Sequence, residues 1–89
     1  MALKWTETAL RNLDEIATYI AQDNPERATT FARELRTSVG KLEQFPALGR
    51  AGRVQGTREL VIHKNYITIY RVRGKDVQIL RIHHTARDL

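Results

Sequence analysis

The side chains best suited to chemistry lie in the C-terminal segment RIHHTARDL. Arg81, His83, His84 and Arg87 follow one another there, at the end of a strand-like run. Histidine serves as a general acid or base near neutral pH, and arginine holds phosphate through paired hydrogen bonds. This combination suits cleavage of an RNA backbone, where a 2′-hydroxyl loses a proton and the phosphorane gathers negative charge. The alternative is that these residues satisfy strand-end hydrogen bonds and make surface pairs, such as Arg87 with Asp88.

This segment ends a longer region, residues 57–84, whose pattern predicts an antiparallel β-meander. Its β-branched and aromatic runs are Leu60–Ile62, Tyr66–Val72 and Val77–Ile82. Two turn-like stretches, His63–Asn65 and Arg73–Asp76, separate the runs. One face of such a meander needs a cover, and the first half of the chain has the pattern to supply it.

Two helical stripes precede the meander. After a short strand-like start at Leu3–Trp5, Thr6 is a candidate N-cap for a first amphipathic helix. Asn24 and Pro25 end that helix and begin the next, whose apolar stripe runs as far as Phe45. The sequence therefore predicts a single α+β domain over residues 1–89. Its parts are a short N-terminal strand, an antiparallel helical hairpin and a three-stranded antiparallel β-meander.

The faces of the last hairpin follow from its pairing. If Val72 pairs with Val77, Ile69 lies opposite Leu80 and Ile67 lies opposite Ile82. One face then carries Ile67, Ile69, Leu80 and Ile82, and the other carries Tyr66, Thr68, Tyr70, Ile79, Arg81 and His83. Hydrophobicity alone predicts that the helices cover the first face.

Composition excludes several classes of protein. The chain has 89 residues, enough for one small core, and no cysteine, so it has neither a disulfide framework nor a thiolate metal site. The histidine and carboxylate spacings resemble no metal site, and we expect no cofactor. No signal peptide and no apolar run of about 18 residues is present, which predicts a cytoplasmic protein without a membrane segment.

The charge is unevenly distributed. Of the 15 basic and 10 acidic residues, residues 46–89 hold nine basic and three acidic ones, so the loop and meander carry the whole positive excess. Within this half, the glycine-rich loop Pro46–Gly56 carries Arg50 and Arg53. The loop lacks the strand and helix flanks of a P-loop. Either the charge serves solubility alone, or this half binds an acidic partner, nucleic acid or an acidic protein segment.

The order of these elements and several local motifs resemble the RelE/ParE family of toxin–antitoxin toxins over essentially the whole chain. The motifs include Trp5-Thr6 with Ala9, Phe45-Pro46 with Gly49-Arg50, Arg58-Glu59-Leu60, Tyr66-Ile67 with Ile69-Tyr70-Arg71-Val72, and Ile79-Leu80-Arg81-Ile82. The resemblance implies a toxin held inactive by a cognate antitoxin. RelE-like members cut mRNA at the ribosome, and ParE-like members inhibit DNA gyrase.

Comparison with the family pattern favours the ParE-like branch. Arg58 and Arg87 match basic positions of the RelE-like nuclease set, but Leu60 stands at a lysine position and Ile67 at an arginine position. If the chain is nevertheless a nuclease, His84 is the candidate proton-transfer group and Arg58 and Arg87 are the candidate phosphate ligands. The same match places Ile67 and Ile69 on an exposed apolar surface, with Tyr66 and Tyr70 under the helices.

The resemblance also implies partners. We expect a ParD- or RelB-like antitoxin with an acidic amphipathic segment, and either DNA gyrase or the ribosome and mRNA as target. The residues expected to bind target or antitoxin are Arg50, Arg53, Ile67, Ile69, Arg71, Arg81, His83 and Arg87. A third alternative is a non-toxic nucleic-acid-binding module, whose binding would weaken steeply with salt.

Overall fold

A computed structural model describes residues 2–85 and confirms the predicted α+β architecture. Two helices lie in one layer, and a five-stranded sheet forms the other. The elements are β1 (Ala2–Trp5), α1 (Glu7–Ala21), α2 (Pro25–Gly40), β2 (Arg50–Ala51), β3 (Arg58–His63), β4 (Tyr66–Arg73) and β5 (Asp76–His84), with a 3-10 turn at Lys41–Glu43. Within the part of the chain that the structure describes, no helix is long and apolar enough to cross a membrane.

Both helices begin where capping chemistry predicts. The Thr6 hydroxyl accepts a hydrogen bond from the backbone N–H of Ala9, and the Asn24 side chain accepts one from Arg27. The second helix is shorter than predicted, because it ends at Gly40 and passes into the 3-10 turn. Phe45, predicted to close the apolar stripe, is 56% exposed and lies beyond that turn.

The strand order is β1-β5-β4-β3-β2. Strands β3, β4 and β5 form the predicted antiparallel meander. Strand β1 joins its edge parallel to β5, which makes the sheet mixed. The glycine-rich segment contributes the two-residue strand β2, antiparallel to β3. No third helix occurs between residues 46 and 60, all of which the structure describes.

The predicted pairing of the last hairpin is right at its turn and wrong beyond it. Val72 pairs with Val77, but Ile69 lies opposite Arg81 and Tyr70 opposite Ile79. Leu80 is therefore an extra residue, a β-bulge that reverses the alternation of side chains along β5. Without the bulge, Ile82 would lie opposite Ile67, on the face that points away from the helices. With the bulge, Ile79 and Ile82 both point toward the helices, and both are buried.

The two faces of the sheet can now be defined. The covered face packs against the helices and carries Tyr66, Thr68, Tyr70, Val77, Ile79 and Ile82, all buried. The open face points away from the helices and carries Glu59, Val61, Ile67, Ile69, Arg71, Gln78, Arg81 and His83. The assignment of faces from hydrophobicity was wrong, whereas the family resemblance placed Tyr66 and Tyr70 correctly. The exposed apolar surface that the resemblance implied for Ile67 and Ile69 was wrong, because Ile67 is 6% exposed and Ile69 is half-buried.

Candidate functional site

The open face gathers most of the residues expected to bind target or antitoxin. The pairs Ile67 with His83, Ile69 with Arg81, and Arg71 with Gln78 lie side by side on β4 and β5. Strand β3 adds Glu59, which pairs with Ile69 on one side and with Arg50 of β2 on the other. Arg87 lies outside the described residues. The face is thus a strongly basic surface with two isoleucines near its centre.

A small cavity of about 170 Å³ lies in this face. Its walls combine two guanidinium groups, an imidazole, a carboxylate and apolar side chains, from Arg53, Val54, Thr57, Glu59, Ile67, Ile69, Arg81 and His83. Ile67 is buried because residues of the 53–57 segment and of the neighbouring strands surround it at this cavity. An arginine on each side favours an anionic group at this position.

Glu59 is the residue of this face that the sequence-based site prediction missed. Its side chain is only 9% exposed, and its carboxylate accepts hydrogen bonds of 3.4 Å from Arg50 Nη2 and from the backbone N–H of Arg53. Because these two donors belong to the 50–53 segment, the carboxylate ties that segment to the open face. Successive side chains of β3 point to opposite faces, so Glu59 and Val61 lie on the face opposite Arg58. This alternation could have predicted that Glu59 lies on the open face.

The three residues proposed as a nuclease set do not form one cluster. The Arg58 guanidinium lies on the covered side of the sheet, where it donates a 2.7 Å hydrogen bond to the carbonyl of Gly49. The His84 ring packs edge-on against Tyr66, with 4.9 Å between ring centroids. Arg87, the third member, is outside the described residues. Arg58 and His84 therefore lie four residues apart along β4, since Arg58 pairs with Tyr70 and His84 pairs with Tyr66.

His83 and His84 share one cleft and differ in their other contacts. Both line a cleft of about 240 Å³ between α1 and the end of β5, together with Glu15, Tyr19 and Arg81, and His83 also borders the open-face cavity. Nearby, Phe31 contacts Tyr66 and His63 in edge-on arrangements at 5.4 and 4.6 Å. His84 is thus part of an aromatic cluster at the end of the covered face.

Among residues 2–85, no group of three or more histidine and carboxylate side chains is arranged to hold a metal ion. The chemistry available on the open face is that of guanidinium, imidazole and carboxylate groups. These groups bind anions and move protons.

Three comparisons identify relatives of the chain. The sequence model of the ParE toxin of the type II toxin–antitoxin system parDE matches residues 3–89. Protein Y4kP of Sinorhizobium fredii is 45% identical over 83 residues, covering 92% of this chain and 85% of that protein. Toxin RelE2 of Caulobacter vibrioides is 39% identical over 83 residues, covering 93% of each chain.

Solved structures agree with the sequence relatives. A chain of the chromosomal ParDE system from P. aeruginosa is 34% identical and superposes with a TM-score of 0.88, covering 94% of this chain and 95% of that one. The YoeB/ParE toxin from Agrobacterium tumefaciens, at 16% identity and a TM-score of 0.64, covers 94% of this chain and 98% of its own and shares the fold. Because the family model spans nearly the whole sequence, this chain belongs to the ParE toxin family of type II toxin–antitoxin systems.

Proposed function

We propose that this toxin inhibits bacterial growth by acting on DNA gyrase and that a cognate antitoxin neutralises it. The observation that carries the proposal is the separation of the two described nuclease candidates along the covered face, where Arg58 pairs with Tyr70 and His84 pairs with Tyr66. Arg58 is occupied with the Gly49 carbonyl, and His84 packs on Tyr66. A general acid and its phosphate ligand must reach the same scissile group, and four strand residues, about 13 Å, separate these two positions.

The basic open face suits binding without proton transfer. Arg50 is 70% exposed at its side chain, and Arg81 is exposed at the end of the cavity. The half-buried Ile69 supplies apolar area between the charges, and the buried Ile67 lines the cavity beside it. Charged groups around an apolar centre give an interface both its rate of association and its specificity.

The antitoxin of such a system has to match the same charge distribution. An acidic amphipathic segment that folds on binding would place carboxylates beside Arg50, Arg71 and Arg81 and apolar side chains beside the isoleucines. Coexpression with the neighbouring small protein and copurification test this partner. A chain that leaves bacterial growth unchanged when expressed alone would contradict the toxin assignment itself.

Two assays run in parallel test the target. Purified toxin is added to gyrase with relaxed plasmid, and separately to translating ribosomes with a labelled message. We expect loss of negative supercoiling and an intact message. Message cleavage at the ribosome with unimpaired supercoiling would contradict the proposal and favour the RelE-like alternative.

One observation favours that alternative as a second candidate function. His83, rather than His84, shares the open-face cavity with Arg53 and Arg81, so a proton-transfer group and two phosphate ligands meet there. Histidine-to-alanine variants at the two neighbouring positions make a matched pair. For a nuclease, His83→Ala should lower the cleavage rate about 10²–10⁴-fold and His84→Ala should not.

A further inference from the structure

The segment Pro46–Arg53 passes around the edge of β3 from one side of the sheet to the other. At Gly49 it lies against the covered side, where the Tyr70 hydroxyl is buried. At Arg50 it pairs with Glu59, and by Arg53 it borders the open-face cavity. The place where the segment crosses the edge therefore determines where both arginines stand.

Side chains of the covered face hold this crossing point. The backbone N–H of Gly49 donates a 2.8 Å hydrogen bond to the Tyr70 hydroxyl, which in turn donates a 2.8 Å hydrogen bond to the carbonyl of Pro46. Arg58 Nη1 donates to the Gly49 carbonyl at 2.7 Å. Both polar backbone groups of Gly49 are thus satisfied by side chains, and Tyr70 itself is fully buried.

The fit at Gly49 admits no side chain. A Cβ atom there would lie 2.7 Å from the Tyr70 hydroxyl and 2.8 Å from the backbone carbonyl oxygen of Glu59. Both distances are shorter than van der Waals contact allows, and the second contact is with backbone that has little freedom to move. The position therefore requires glycine, because the backbone of Gly49 lies too close to Tyr70 and to the backbone of Glu59 for a Cβ atom.

Beyond the crossing, the segment is closed as a turn. The backbone N–H of Gly52 donates to the carbonyl of Thr57 at 2.8 Å, and the Thr57 hydroxyl donates to the carbonyl of Val54 at 2.6 Å. On the open face, the Glu59 carboxylate accepts from Arg50 and from the Arg53 backbone at 3.4 Å. These open-face bonds are long, whereas those at Gly49 are short, so the tighter hold on the segment comes from the covered side.

We propose that Tyr70 is a positioning residue for the open face: from the opposite side of the sheet, its hydroxyl fixes the Pro46–Gly49 crossing and so sets the positions of Arg50 and Arg53. The effect on target binding rests on the proposed function, whereas the effect on the segment does not. Tyr70 is fully buried, so it touches neither target nor antitoxin and acts through the two arginines alone.

The test is Tyr70→Phe, which removes one oxygen and keeps the ring that fills the core. Tyr66→Phe is the matched control, because it removes a hydroxyl from the same strand and face but leaves the bonds at Gly49 and Pro46. Amide hydrogen exchange is measured in all three chains. We expect exchange at Gly49 and through residues 50–57 to accelerate at least about tenfold in Tyr70→Phe alone. Unchanged exchange there, or equal acceleration in Tyr66→Phe, would overturn the proposal.

A double-variant comparison separates positioning from general destabilisation. Tyr70→Phe should weaken inhibition of supercoiling by about tenfold, and in an Arg50→Gln/Arg53→Gln background it should add no further loss. Effects that multiply would show that Tyr70 acts independently of the arginines and would overturn the proposal.

Gly49→Ala disturbs the same hydrogen-bonded contact from the side of the segment, because its Cβ would clash with the Tyr70 hydroxyl. It should reproduce both the faster amide exchange and the weaker inhibition of supercoiling. If wild-type toxin leaves supercoiling intact, the proposed target fails. The exchange comparison still decides whether Tyr70 positions the segment.

Discussion

On the covered face of the sheet, Tyr70, Val77 and Ile79 are completely buried beneath the helices. On the open face, their strand neighbours Arg71, Gln78 and Arg81 contact solvent, and the Arg71 Nε donates a 2.6 Å hydrogen bond to the Gln78 side chain. The same two strands therefore present an apolar surface on one side and a charged surface on the other. The covered face supplies stability, and the open face is available for binding.

The largest effect is expected from the centre of the covered side. Leu35 of α2 is fully buried against the sheet. Leu35→Ala removes apolar contacts and leaves a cavity, so it should lower the free energy of unfolding by about 2–5 kcal/mol. Urea denaturation measures this loss. A loss below about 1 kcal/mol would show that the helices do not pack on the sheet as described.

A smaller effect is expected where a polar side chain joins the helix layer to the sheet. The side-chain Oδ1 of Asn12 in α1 accepts a 3.1 Å hydrogen bond from the backbone N–H of Ile82. Asn12→Ala leaves that N–H unsatisfied and should cost about 1–3 kcal/mol. Asn12→Asp is the control, because it keeps an acceptor oxygen and should retain most of the stability. Equal losses in the two variants would contradict a role for this hydrogen bond.

The smallest effect is expected on the outer surface of α2. Arg27 donates hydrogen bonds to both carboxylate oxygens of Glu34 and holds the pKa of Glu34 below its ordinary value. A lowered acid pKa stabilises the fold above the pKa of the unfolded carboxyl, and the gain is lost as pH falls through the folded one. Both side chains are exposed, so water and salt screen the pair.

Glu34→Gln should therefore leave stability at neutral pH unchanged within error and only slightly reduce its dependence on acid. Urea denaturation at neutral and acidic pH, at low and moderate salt, measures both. A clear loss at neutral pH would mean that the exposed pair contributes more than its surroundings allow.

Local sequence patterns were enough to predict the fold. Which side chains lie on the open face depended on the pairing of β4 with β5, which shifts by one residue at Leu80. Caps at Thr6 and Asn24 and the period of the apolar positions predicted both helices. Leu80 carries no local signal of a bulge, because a leucine continues the strand pattern as well as an isoleucine does. Yet that bulge decides whether Arg81 faces the helices or the solvent.

Contacts of the irregular segment before β3 explain what else the sequence did not reveal. Arg58 matches a basic position of the nuclease set, but its hydrogen bond to the Gly49 carbonyl depends on how the irregular segment before β3 folds back along it. Glu59 was part of a recognised motif, and only the pairing of β2 with β3 shows its carboxylate among the arginines. The sequence identified both residues, but it did not identify their hydrogen-bond partners.

The most direct test of the functional role of the open face is a matched pair of charge reversals. Arg81→Glu changes the open face, and Arg36→Glu makes the same change on the exposed surface of α2. Inhibition of gyrase supercoiling and urea denaturation are measured for both variants. We predict that Arg81→Glu raises the inhibitory concentration at least about tenfold, that Arg36→Glu leaves it within about twofold, and that both keep their stability within about 0.5 kcal/mol. Equal losses of inhibition, or a greater loss in Arg36→Glu, would contradict a role of the open face in binding gyrase.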